Sequence, residues 1–294
     1  MDIRNVLRGI TSPLVTPFDG GSVDEAALVD LLDHVQAGGV DAVFPCGTTG
    51  EFPSLAPAER LAVIERTVEH ADVPVVAGAA ATSVSETVDA IETAAAVGAD
   101  AAAIVAPYFT NANDPAGNRR FFEAVLESVS LPILLYNIPQ CVGRRIEPET
   151  VAAIAEHDRA LGLKDSSGDL AYFLSVMERT PDDFLCLQGY DAILVPSLRM
   201  GADGGINALS NVVPEVFREV VDDPRADRSR DLQADVIAPL FETCTTYDFA
   251  PATKTALVGR NVIPSDEVRP PLVSVDDPGA IESAIDNALA AADR

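Results

Sequence analysis

The sequence predicts an α/β protein, a (β/α)8 TIM barrel with a C-terminal helical extension, and three observations carry that expectation. Apolar runs of strand length alternate with helix-period segments over the first two thirds of the chain. The runs number eight, the count that closes a parallel barrel. Most are apolar almost without interruption, as strands covered on both faces must be. At 294 residues and 48% hydrophobic, the chain is large enough to fill one such barrel. The competing arrangement, an open doubly wound sheet, calls for a phosphate-binding glycine turn near its start, and the stretch from Gly9 to Gly21 does not form one.

Taken in order, a strand-like run begins near residue 9 and closes at Phe18, and Gly20-Gly21 turns the chain. Leu28, Leu31, Leu32 and Val35 recur at helix spacing within 24–37. Residues 40–44 form the second strand, followed by Gly47-Thr48-Thr49-Gly50-Glu51 and a helix opened by Pro57. Strands over 73–77 and 99–105 bracket a helix over 83–97, which Gly98 closes. The fifth strand, 131–136, ends in Tyr136-Asn137-Ile138-Pro139, with helices over 116–128 and 148–157 on either side. The sixth ends at Lys164, the seventh spans 184–187, and the eighth and weakest spans 202–206. Beyond Asn211 the pattern is helical throughout, over 226–245, 251–258 and 278–289. The expected organisation is therefore a barrel over 1–210 with an extension over 211–294 packed on it.

Charge narrows the function classes. A net charge of -26, spread along the chain, argues against nucleic acid and anionic membrane as partners. Two lysines against eighteen arginines, on so acidic a background, fit a protein working in concentrated salt, where screening removes self-repulsion. No apolar segment reaches membrane-spanning length, and the amino terminus lacks a signal-type run, so a cytoplasmic location is expected. Cys46, Cys141, Cys186 and Cys244 are far apart and form no CxxC pair; Cys46 and Cys186 read as small core hydrophobes. His34, His70 and His157 fall on predicted helices, so neither a metal nor any other cofactor is expected.

In a barrel, the residues that follow each strand converge on one mouth. Thr48, Thr49, Tyr108, Tyr136, Lys164, Gly189, Gly205 and Ile206 would then surround one cavity. Singly, each has an ordinary reading, such as a turn, a packing aromatic or a lysine ending a strand at the surface. Together they supply what Schiff-base chemistry needs. A dry, unprotonated amine attacks a 2-oxo group, a phenol moves the protons, and hydroxyls and backbone amides hold a carboxylate.

Thr16-Pro17-Phe18, the Gly47–Glu51 loop, Pro107-Tyr108, Tyr136–Pro139 and Gly162-Leu163-Lys164-Asp165 together resemble the dihydrodipicolinate synthase and N-acetylneuraminate lyase superfamily of class I aldolases. The resemblance covers most of the chain. It implies that Lys164 forms the imine, that Tyr136 is the central proton relay, and that Thr48 and Thr49 bind the carboxylate of pyruvate, with Thr49 joining the relay. Tyr108 would complete a relay across a subunit contact, Gly189, Gly205 and Ile206 would line the pocket, and the assembly would be a homotetramer built as a dimer of dimers.

Substrate choice turns on residue 141. Dihydrodipicolinate synthases usually carry an arginine two residues past the proline of the tyrosine motif, where it holds the carboxylate of aspartate semialdehyde. Here that position is Cys141, too short and uncharged for a bidentate contact. The expectation drawn from this is a lyase that cleaves the 2-oxo sugar acid 2-keto-3-deoxygluconate, or its 6-phosphate, to pyruvate and glyceraldehyde or its phosphate in an Entner–Doudoroff route. Arg119 and Arg120 are the candidates for a distal phosphate contact. The alternatives are a 5-keto-4-deoxyglucarate dehydratase, an N-acetylneuraminate lyase, a dihydrodipicolinate synthase, or a catalytically silent sugar-acid binding protein.

Overall fold

A computed structural model describes residues 3–293. Met1, Asp2 and Arg294, and with them the outer ends of the expected divisions and the first residues of the amino terminus, lie outside the described residues. Eight parallel strands make the barrel: β1 (Ile10–Ser12), β2 (Ala42–Val43), β3 (Val76–Gly78), β4 (Ala101–Val105), β5 (Ile133–Asn137), β6 (Ala160–Asp165), β7 (Leu185–Gln188) and β8 (Gly204–Ile206). They pair in the order β2-β1-β8-β7-β6-β5-β4-β3, and a bridge between Val43 and Val75 joins the two ends. The fold is a (β/α)8 barrel with C-terminal helices, as the alternation predicted.

Among the described residues, eight helices of six residues or more follow the strands: α1 (Glu25–Ala37), α2 (Pro57–His70), α3 (Val84–Ala96), α4 (Pro115–Leu126), α5 (Pro148–Ala155), α6 (Leu170–Met177), α7 (Leu194–Arg199) and α8 (Pro214–Asp222). Their starts are set locally. Asp24, Ser83, Asp114 and Asp169 cap four of them by accepting from backbone N–H groups in the first turn. Proline opens α2, α4, α5 and α8, where its missing N–H costs nothing.

The first strand is shorter than expected. It stops at Ser12 because Pro13 and Pro17 have no N–H to give a ladder. Phe18–Asp19 instead pairs with Ser22–Val23 in a hairpin, turned by Gly20 and Gly21, both at positive φ (55° and 80°). His157 lies in the turn beyond α5 rather than on a helix.

Beyond α8, which already lies within the 211–294 stretch, four further helical pieces follow: α9 (Asp227–Leu232), α10 (Ala238–Tyr247), α11 (Phe249–Gly259) and α12 (Gly279–Ala292). The single helix expected over 226–245 is interrupted by a wider, π-helical turn at Gln233–Ile237. Pro239 lacks the N–H that would bond to Asp235, and the ladder loosens just ahead of it. The interruption has a use. The buried Gln233 side chain accepts from Val195 N (3.0 Å) and donates to the carbonyl of Asp191 (3.2 Å), tying the extension to the loop after β7. Leu232, Val236, Leu240 and Ile281 belong to one apolar cluster with Leu31 and Val35 of the barrel and Phe217 of α8.

Candidate active site

Strand register brings the central pair together. Tyr136 of β5 is directly opposite Lys164 of β6, and Lys164 is opposite Leu187 of β7. Lys164 is 3% exposed, and its Nζ lies 4.1 Å from the centroid of the Tyr136 ring and 5.1 Å from that of Phe44. Such an arrangement suits an amine that passes through a cationic state. Thr48 donates from Oγ1 to the Tyr136 hydroxyl at 3.4 Å.

The threonine loop is stiffened from within. Gly50 N donates to the Gly47 carbonyl and Glu51 N to that of Thr48, both at 3.1 Å, while Thr16 Oγ1 donates to the Gly50 carbonyl at 2.8 Å. Cys46 and Glu51, at its two ends, both adopt left-handed φ (57° and 54°). Gly189 must be glycine for close approach. A Cβ there would lie 2.3 Å from Ser166 Oγ and 2.9 Å from Lys164 Cε.

These groups face a cavity of about 470 Å³. Thr48, Thr49, Tyr136, Lys164, Gly189 and Ile206 line it, together with Tyr190, Phe241 and Leu272 and the exposed Cys141, Thr245 and Asp248. Gly205 does not reach it; the residue sits inside β8, where a Cβ would strike Asn207 Oδ1 at 2.2 Å. Tyr108 faces a neighbouring cavity of about 580 Å³, with its ring edge-on to Phe52 at 6.4 Å. Arg119 and Arg120, the candidates for a distal contact, do not line the Lys164 cavity. Arg119 is held one helical turn along α4 by Glu123 at 2.7 Å. Arg144 and Arg145 are likewise engaged outside it, with the carbonyl of Ala112 and with Glu147.

Two buried carboxyls near Lys164 had no assigned part in the sequence reading. Asp165 accepts from Asn137 Nδ2 (2.7 Å) and Ser167 Oγ (2.9 Å), yet burial pushes it up to about 6. Asp191 lines the cavity and accepts from Leu209 N at 2.9 Å; burial pushes it, too, up to about 6. Their sequence signal is only an acid one residue after the lysine and another two residues after Gly189, which does not reveal burial. Among the described residues, no group of three or more His, Cys, Asp or Glu side chains is placed to hold a metal ion. No helix among them is long and apolar enough to cross a membrane.

A family model described as the dihydrodipicolinate synthetase family matches residues 6–287. The chain belongs to that family. Its members are aldolase-type lyases, and aldolase-type Schiff-base chemistry fits the superfamily. A 4-hydroxy-tetrahydrodipicolinate synthase from Hyphomonas neptunium is 35% identical over 98% of this chain and 99% of its own. Another from Methanopyrus kandleri is 37% identical over 90% of each chain. Among solved structures, the dihydrodipicolinate synthase of Thermotoga maritima superposes with a TM-score of 0.91 at 28% identity, over 98% of this chain and 99% of that one. A 2-keto-3-deoxygluconate aldolase from Picrophilus torridus superposes at 0.86 with 28% identity, over 91% and 97%.

These relatives overturn the expectation of a 2-keto-3-deoxygluconate aldolase. Curated relatives at 34–37% identity over most of the chain are named as the synthase. The inference from Cys141 excluded too much. A missing guanidinium removes one way of holding a carboxylate, not the substrate that carries it.

Proposed function

We propose that this protein is a pyruvate-dependent synthase of the 4-hydroxy-tetrahydrodipicolinate synthase kind, joining pyruvate to aspartate semialdehyde. The imine chemistry is carried by the placement of Lys164 Nζ against the Tyr136 ring, with the Tyr136 hydroxyl joined to Thr48, and the choice of aldehyde is supported by the relatives named as the synthase. The Lys164 amine adds to the ketone of pyruvate, and loss of water gives the imine. Loss of a proton from the methyl carbon leaves an enamine, whose carbon attacks the aldehyde to form the new carbon–carbon bond. The amino group of the semialdehyde then displaces Lys164 from the former ketone carbon, closing the ring and freeing the enzyme.

Tyr136, with Thr48 and Thr49, moves the protons of carbinolamine formation and collapse. The threonine hydroxyls and loop amides hold the pyruvate carboxylate. With Cys141 in the lining, the carboxylate of the aldehyde partner is met by neutral donors, for which the Tyr190 and Thr245 side chains line the same cavity. Assembly as a homotetramer, with Tyr108 at a subunit contact, is supported by the resemblance and by Phe109 beside it, which is 98% exposed. The acidic surface supports a cytoplasm rich in salt as the working medium.

Borohydride reduction in the presence of pyruvate should leave a covalent adduct on Lys164, and pyruvate should be consumed when aspartate semialdehyde is added. Absence of the adduct would remove the Schiff-base mechanism. An adduct without turnover of aspartate semialdehyde would remove that aldehyde as the partner while leaving the imine chemistry in place.

A further inference from the structure

Both lysines of this chain are buried, and only one of them is in the cavity. Lys254, on α11, is 0% exposed. Its Nζ donates to Glu51 Oε1 at 2.5 Å and to the Glu267 carbonyl at 2.7 Å, and lies 4.1 Å from the centroid of the Phe18 ring. The second oxygen of Glu51 accepts from Arg269 N at 3.0 Å. Arg269 in turn grips Glu59 through both carboxylate oxygens (2.7 and 2.8 Å) and donates to the carbonyls of Gly21 (2.7 Å) and Ser54 (3.1 Å). Lys254 and the Arg269 N–H thus hold the Glu51 carboxylate at the end of the threonine loop, while the Arg269 side chain ties the same segment to the hairpin and the start of α2.

Stability alone gives a poor account of this arrangement. Desolvating two charges offsets most of their attraction, and apolar residues of similar volume commonly do as well. What an apolar pair cannot do is aim. Glu51 ends the Gly47–Glu51 loop at a left-handed φ of 54°, with its N–H on the Thr48 carbonyl, so fixing its carboxylate from two sides fixes the loop end two residues from Thr49. Neither Glu51 nor Lys254 lines the Lys164 cavity, whereas Leu272, three residues beyond Arg269, does. The pair therefore acts on the site from behind, through the residues that face it.

We propose that Lys254 and Glu51 are positioning residues that hold the Thr48–Thr49 loop, and with it the pyruvate carboxylate subsite, in register with Lys164. The proposal rests on the Schiff-base reading above and assigns the pair chiefly to affinity for pyruvate, because Tyr136, which carries the proton transfers, is fixed on β5 and its bond to Thr48 is long (3.4 Å). Burial lowers the proton affinity of Lys254 while Glu51 opposes that shift, as a tightly held charge pair requires.

The test compares wild type with Glu51→Gln, Lys254→Met and the double variant, which leaves no lone buried charge. Half-saturating pyruvate in borohydride trapping, kcat at saturating pyruvate, and Tm are measured for each. Folded variants should need about tenfold more pyruvate for half-saturation, with kcat within about threefold of wild type, and the double variant should recover Tm without recovering affinity. Tenfold corresponds to about 1.4 kcal/mol of lost binding. Half-saturation within twofold of wild type in a folded variant would overturn the proposal, as would a fall in kcat with affinity unchanged. If neither Lys254→Met nor the double variant folds, and Glu51→Gln folds with wild-type affinity, the pair is structural only and the proposal fails. Failure of the wild type itself to trap pyruvate would instead overturn the Schiff-base reading, so the two failures are distinguishable.

Discussion

Replacing Tyr136 with phenylalanine removes one oxygen from the centre of the site and leaves the packing nearly intact. The ring, 6% exposed, keeps its edge contact with Phe44 and its place 4.1 Å from Lys164 Nζ. What disappears is the hydroxyl that accepts from Thr48 at 3.4 Å. As a long, neutral hydrogen bond it contributes about 1 kcal/mol or less, so Tm should fall by only about 2–4 °C in a chain of this size. The catalytic cost is of another order. A positioned acid–base group contributes roughly 10²–10⁴-fold, or about 3–5 kcal/mol of barrier, to the steps it serves. Turnover should fall by that amount, while borohydride trapping of pyruvate slows without vanishing, because carbinolamine formation and collapse proceed slowly with solvent as the proton carrier. The assay pairs pyruvate consumption with the mass of the reduced adduct over time. Unchanged turnover in a folded Tyr136→Phe protein would take Tyr136 out of the mechanism.

Other expectations follow from the same geometry. Gly189→Ala would place a methyl group 2.9 Å from Lys164 Cε; displacing the amine by about 1 Å should cost on the order of 10²-fold in trapping rate, and a wild-type rate would refute the close approach. Asp165 titrates near 6 in the native protein against about 3.9 in an unfolded chain, so the native state holds the extra proton between those values. Its contribution, on the order of 3 kcal/mol, is therefore fully present below about pH 4 and is lost as pH rises through about 6. Asp165→Asn should flatten that part of the stability profile, and identical Tm-against-pH curves for wild type and variant would contradict the burial argument. Raising potassium chloride from about 0.1 to about 2 M should raise Tm by screening the net charge of -26, and a flat response would remove the argument from self-repulsion.

The alternation of apolar runs with helical segments determined the barrel. Each strand must bury both faces and each helix one; eight such units close a parallel barrel, and the stretch from Gly9 to Gly21 lacks the glycine turn an open doubly wound sheet would call for. The same alternation places Lys164, Tyr136 and Thr48 at strand ends, and so at one mouth. Local chemistry also carried the helix starts, because capping by Asp24, Ser83 and Asp169 acts within one turn of chain.

What only the tertiary structure decided lies across long separations. Lys254 reads in sequence as an ordinary helical lysine, and its partner Glu51 is 203 residues away. Burial of Asp165 and Asp191 comes from walls built by distant segments, which no local pattern records. Residue 141 marks the opposite limit. Its identity was legible and its position at the rim follows from the fold, but the absence of one side chain says nothing about the donors that other loops bring to the same space. A substrate is held by everything that surrounds it, and that surrounding is assembled only when the chain closes.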